Sequence, residues 1–131
     1  MPTRPLSPHL SVYRMSRYTL ATSIANRFTG VALSAGLLLL VYWLVAVAGG
    51  PRSYARALGV LTAPVTQLLY LALIVAFCYH LVAGLRHLVW DTGRALERAQ
   101  SQKSARLVIL LSLVLIVLIV YRVWFSGMRA P

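Results

Sequence analysis

The sequence has 131 residues, of which 60% are hydrophobic and 11% charged, with 13 Lys and Arg against 2 Asp and Glu. An ordinary soluble domain carries about 25% charged residues, and so apolar a chain does not stay solvated as a disordered one. Both classes are excluded. The net charge of +11 comes from scarce acids in a greasy chain and not from a dense basic face, which argues against nucleic acid as a partner and for a small integral membrane protein.

In chain order, residues 1–22 form an N-terminal segment expected to be cytoplasmic. The first 27 residues contain three prolines and no apolar core, so no secretory signal is expected, and a bacterial cytoplasmic (inner) membrane is the simplest multi-pass home. Helix I is expected over 23–49. It holds an uncharged run of Leu and Val and stops at Gly49, Gly50 and Pro51. The following loop can carry a short interfacial helix around 54–61. Helix II is expected over 64–92, with Pro64 suited to its first turn. No Lys, Arg, Asp or Glu falls between Arg56 and Arg86. Helix III is expected over 105–126, with Arg122 reaching back to the headgroups. The whole chain, 1–131, therefore reads as one all-α membrane-anchor domain with three transmembrane helices.

Basic residues set the orientation. Four precede the first span (Arg4, Arg14, Arg17, Arg27) and five flank the second loop (Arg86, Arg94, Arg98, Lys103, Arg106). The first loop has two (Arg52, Arg56) and the C-terminal end two (Arg122, Arg129). By the positive-inside rule the N-terminus and second loop face the cytoplasm, and the C-terminus lies on the far side.

In such a chain the informative residues are the polar ones that a bilayer disfavours. His80 lies six residues before Arg86, about 9 Å along a helix, which puts it inside the hydrocarbon. Two readings stand. It is either a neutral histidine satisfied by a neighbouring helix or an axial ligand of a haem, with Ala76, Ala83 and Gly84 leaving room beside the ring. The single cysteine, Cys78, excludes a CxxCH attachment and a disulfide framework. His87, about 10 Å further along the same side, cannot supply a second axial ligand, so that ligand should come from a partner. Ser23 and Arg27, one turn apart, are either a helix cap and an inside charge, or a polar pocket for a quinone carbonyl or haem propionate. Asn26 partly shares their face. Arg86, His87 and Asp91 read either as a solvated helix end with a salt link or as a proton relay.

Three stretches then carry a resemblance. His80-Leu-Val-Ala-Gly84-Leu-Arg86-His87-Leu-Val-Trp90-Asp91-Thr-Gly93 resembles the second-helix signature of the cytochrome b anchor subunits of succinate dehydrogenase (complex II). Arg4-Pro5-Leu6-Ser7-Pro8-His9-Leu10-Ser11-Val12-Tyr13 resembles that family's opening segment, and Ser23-Ile24-Ala25-Asn26-Arg27-Phe28-Thr29-Gly30 its first-helix start. The resemblance implies that His80 is one axial ligand of haem b, the second histidine coming from a small membrane-anchor subunit. It implies that Ser23 and Arg27 line a ubiquinone pocket beside the iron-sulfur subunit, with Arg27 also near a propionate. Electrons would arrive from the flavoprotein and iron-sulfur subunits, no catalysis residing on this chain alone. Asn26 stands where the family commonly has a histidine near a propionate. It keeps a hydrogen-bonding side chain there. His87 would contact a propionate or relay protons, and Asp91 would take part in that relay. A fumarate reductase anchor is the alternative within the family, and a non-redox membrane anchor the alternative outside it.

Overall fold

The computed structural model describes residues 17–127. Among these the chain is all-helical, with α1 (Arg17–Ala48), α2 (Pro51–Leu61), α3 (Pro64–Asp91) and α4 (Arg98–Gly127). The motif from Arg4 to Tyr13, with His9, lies outside the described residues. Helices α1, α3 and α4 are long and apolar enough to cross a membrane. At 1.5 Å per residue they measure roughly 48, 42 and 45 Å, well beyond the ~30 Å of a hydrocarbon core. Their charged ends therefore project into the headgroups and water.

That excess explains where the helices begin. α1 is already helical at Arg17, the first described residue, and α4 begins at Arg98, both ahead of the apolar stretches expected over 23–49 and 105–126. Apolar content marks only the hydrocarbon-crossing part, whereas a helix closes its own backbone bonds in either solvent. α3 ends at Asp91, with Thr92 as its C-cap. Since six helical residues precede it, Ser23 does not cap α1.

The connections are short. α1 ends at a tight bend in which Gly49 N donates to Val45 O and Gly50 N to Val47 O. Gly50 has φ 83°, a left-handed conformation that glycine adopts without strain. Pro51 and Pro64 then occupy first-turn positions of α2 and α3, where a missing N–H costs nothing. Thr62 closes α2 through its backbone N–H and its hydroxyl, both donating to Leu58 O. Ala57 and Leu61 on the inward face of α2 are buried with Ala46, and Tyr70 packs against them.

α3 is central, touching α1, α2 and α4, while α1 also touches α4. The buried apolar side chains along it are small: Ala76, Cys78 and Ala83, met on α4 by the buried Ala105, Val108 and Ser112. Small residues let transmembrane helices approach closely where lipid offers no hydrophobic drive for association. Gly36 shows the limit on α1, where an added Cβ would fall 2.7 Å from Leu73 Cδ2. Large apolar side chains point outward instead, Phe28 being 73% and Val65 77% exposed. This inside-out distribution suits lipid or partner helices.

Candidate functional site

The interior histidine is held by α1. His80 Nδ1 lies 3.2 Å from Asn26 O and 3.2 Å from Thr29 Oγ1. A carbonyl only accepts, so Nδ1 carries the proton. In the neutral ring Nε2 is then the atom with a free lone pair. Among the described residues none hydrogen-bonds to Nε2. Gly30 makes the approach possible, because a Cβ there would lie 3.1 Å from His80 Cε1.

The small residues beside His80 divide. Ala76 and Ala83 are buried, so they serve helix packing and leave no room for a ligand. Gly84 is open, with nothing within 4 Å of a Cβ built on it. Asn26 adds a further unsatisfied group. Its Oδ1 is buried without a hydrogen-bond partner among the described residues, an arrangement that costs about 1–3 kcal/mol unless a ligand answers it. The free Nε2 and, one turn along α3, the open space at Gly84 leave room for a ligand on this helix.

Ser23 is half-buried and Arg27 exposed. At 100° per residue they project from α1 roughly 60–100° around its axis from Asn26. Neither makes a hydrogen bond or ion pair with another described residue. They flank the His80 contact with donors still available.

Arg86 is different from what the sequence suggested. It is 8% exposed, not solvated, and no salt link involves it among the described residues. Its Nε donates to Ser104 Oγ at 3.0 Å, Nη1 to Thr22 Oγ1 at 3.2 Å, and Nη2 to Ser101 O at 3.0 Å and Ser101 Oγ at 3.2 Å. The guanidinium also stacks 4.0 Å from the Trp90 ring centroid. One side chain on α3 thus joins α1 and α4. Thr22 is prepared for this, since its hydroxyl donates to Tyr18 O and Thr19 O, and its carbonyl accepts from Tyr79 Oη at 2.8 Å.

His87 and Asp91 are not joined. His87 Nδ1 donates to Ala83 O of its own helix at 2.7 Å, its ring meets Trp90 edge-on at 5.3 Å, and Asp91 is exposed. Trp90 Nε1 donates to Ala95 O.

Sequence reasoning gave no individual role to Thr22, Thr29, Gly30 or Tyr79. The available signal was spacing: Thr22, Asn26, Thr29 and Gly30 fall on one helical face, a polar and small stripe within an apolar helix.

Fold and site together define a class: a multi-pass, all-α membrane protein with an interior histidine whose Nε2 is open to a ligand. The particular family follows from comparison with known proteins. The model of the succinate dehydrogenase/fumarate reductase transmembrane subunit matches residues 1–119. The chain is 45% identical over 115 residues to the succinate dehydrogenase cytochrome b556 subunit of Paracoccus denitrificans, covering 88% of each. It is 38% identical over 112 residues to the mitochondrial cytochrome b560 subunit of Sus scrofa, covering 83% of this chain and 65% of that protein. A Rickettsia typhi cytochrome b556 subunit is 37% identical over 90 residues, 69% of this chain and 68% of its own. This chain belongs to the cytochrome b membrane-anchor family of succinate dehydrogenase, complex II.

Proposed function

We propose that this chain binds haem b through His80 Nε2 and forms part of a ubiquinone-reduction site with Ser23 and Arg27. It does so as the large anchor subunit of a bacterial inner-membrane complex that links succinate oxidation in the tricarboxylic acid cycle to the respiratory chain. The observation that carries this reading is the His80 geometry: Nδ1–H committed to the Asn26 carbonyl and Nε2 left for a metal. A small anchor subunit would supply the second histidine, because His87, about 10 Å further along the same side of α3, cannot reach the group that His80 would hold. Flavoprotein and iron-sulfur subunits complete the complex and deliver electrons at the N-terminal, cytoplasmic side, where the basic residues concentrate.

When bound, the haem would supply a one-electron centre. The chain's own residues do the rest. With its amide turned so that Nδ2 takes the place of the unpartnered Oδ1, Asn26 donates to a propionate. His87 meets a propionate in its doubly protonated form, Nε2–H donating while Nδ1–H stays on Ala83 O. The Ser23 hydroxyl orients a quinone carbonyl, and the Arg27 guanidinium stabilises negative charge developing on the quinone oxygen through a charge-assisted hydrogen bond. Protons come from the nearby aqueous phase.

Two variants of the assembled complex test this. His80→Leu should lose the reduced b-haem absorbance, and a full normal haem signal would refute ligation. Arg27→Leu should assemble with its haem but reduce ubiquinone about 10²-fold more slowly; an unchanged rate would refute the pocket. The relatives are succinate dehydrogenase subunits, which favours succinate oxidation over fumarate reduction.

A further inference from the structure

We infer that Thr29 is a positioning residue for His80, acting on the haem ligand through the ring nitrogen that faces away from the metal. The inference rests on the haem reading above and assigns a second acceptor to the ligand's Nδ1–H.

The direction of each bond follows from what its partners can do. Thr29 Oγ1 lies 2.8 Å from Ala25 O and 3.0 Å from Asn26 O. Both are acceptors only, so the hydroxyl proton is committed to α1's own backbone, as helical threonines commonly arrange. What Oγ1 presents to His80 Nδ1, 3.2 Å away, is a lone pair. Nδ1–H is therefore shared between two oxygens on α1, one fixed by the backbone and one by a side chain. Gly30, next in sequence, leaves its Cα side bare so that the ring reaches this pair. The imidazole is pinned in tautomer and in rotation about its long axis.

The chemical consequence is electronic as well as geometric. An acceptor on Nδ1–H increases electron density at Nε2 and makes it a stronger donor that favours the ferric state. Thr29 thereby lowers the haem's midpoint potential and fixes the orientation of the imidazole plane. Because Asn26 O remains when Thr29 is replaced, the effect on haem retention should sit at the low end of what such outer partners give, about 10-fold.

The test uses the complete complex carrying Thr29→Val, which keeps the β-branched shape and removes the hydroxyl, with Thr29→Ser as the conservative control. Potentiometric titration of the haem absorbance and the low-spin ferric EPR signal are read beside ubiquinone reduction. The expected result is a raised midpoint potential and altered EPR anisotropy in Thr29→Val, with Thr29→Ser returning both to wild type. Loss of haem in Thr29→Val alone would support the same role in stronger form. An unchanged potential and EPR signal in Thr29→Val, or equal changes in both variants, would overturn it. His80→Leu separates the two levels. If that variant keeps a normal haem, the haem reading and this inference both fall. If it loses its haem while Thr29→Val matches wild type, only the inference falls.

Discussion

Two polar regions lie within about two helical turns of each other on α1 and α3, and they differ in whether their groups are satisfied. Around Arg86, the guanidinium nitrogens Nε, Nη1 and Nη2 all have protein acceptors: Thr22 on α1, and Ser101 and Ser104 on α4. Around His80, the groups are left open. Nε2 has no described partner, Asn26 Oδ1 is buried and unpaired, and Ser23 and Arg27 make no described contact. A satisfied buried network holds helices together, whereas unsatisfied groups carry a standing cost that a ligand can relieve. The contrast supports the proposal that the first region is structural and the second holds the ligands, although both contain an arginine.

The largest expected effect falls on the structural side. Arg86→Leu removes a side chain that hydrogen-bonds from α3 to both α1 and α4, and should destabilise the helix bundle by at least about 2 kcal/mol, read as lower assembly and an earlier thermal transition of the complex in detergent. If Arg86→Leu instead assembles normally and loses only quinone reduction, the two regions have been assigned the wrong way round. Arg27→Leu is the mirror experiment, with its loss in rate and not in assembly. A smaller effect is expected for Gly30→Ala, whose Cβ would sit 3.1 Å from His80 Cε1. The ring must give way by a few tenths of an ångström, costing about 1 kcal/mol and broadening the haem's EPR signal; an unperturbed signal would show that the ring is not held against α1. The smallest change is expected for Asp91→Asn. With Asp91 exposed and unlinked to His87, stability should stay within about 0.5 kcal/mol and quinone reduction near the wild-type rate. A marked slowing would restore a proton relay through that pair.

The three helices long and apolar enough to cross a membrane, with His80 within the second of them, were legible because a bilayer writes its thickness into the apolar pattern. The helical turns ahead of Ser23 and from Arg98 on were not, since charged turns outside the hydrocarbon look like loop when only apolarity is counted. Arg86 was misread for a different reason. Its acceptors, Thr22, Ser101 and Ser104, stand 64, 15 and 18 residues away, and nothing in the local sequence shows that three small hydroxyl residues converge on one guanidinium. Thr29 was hidden in the same way, 51 residues from the histidine it faces. Helical spacing shows which side chains share a face, but which faces meet is decided by packing. The small residues illustrate this: Ala76, Ala83 and Gly84 look alike along α3, yet only Gly84 faces open space.

His80 and His87 bring the contrast down to two residues of one helix, the first anchored across the interface to Asn26 O and Thr29, the second to Ala83 O within α3. The most direct measurement is therefore the reduced-minus-oxidised spectrum of the purified complex carrying His80→Leu, taken beside His87→Leu. Ligation through His80 Nε2 predicts that the b-haem signal disappears in the first and persists in the second. A normal signal in His80→Leu, or its loss in His87→Leu alone, would contradict it.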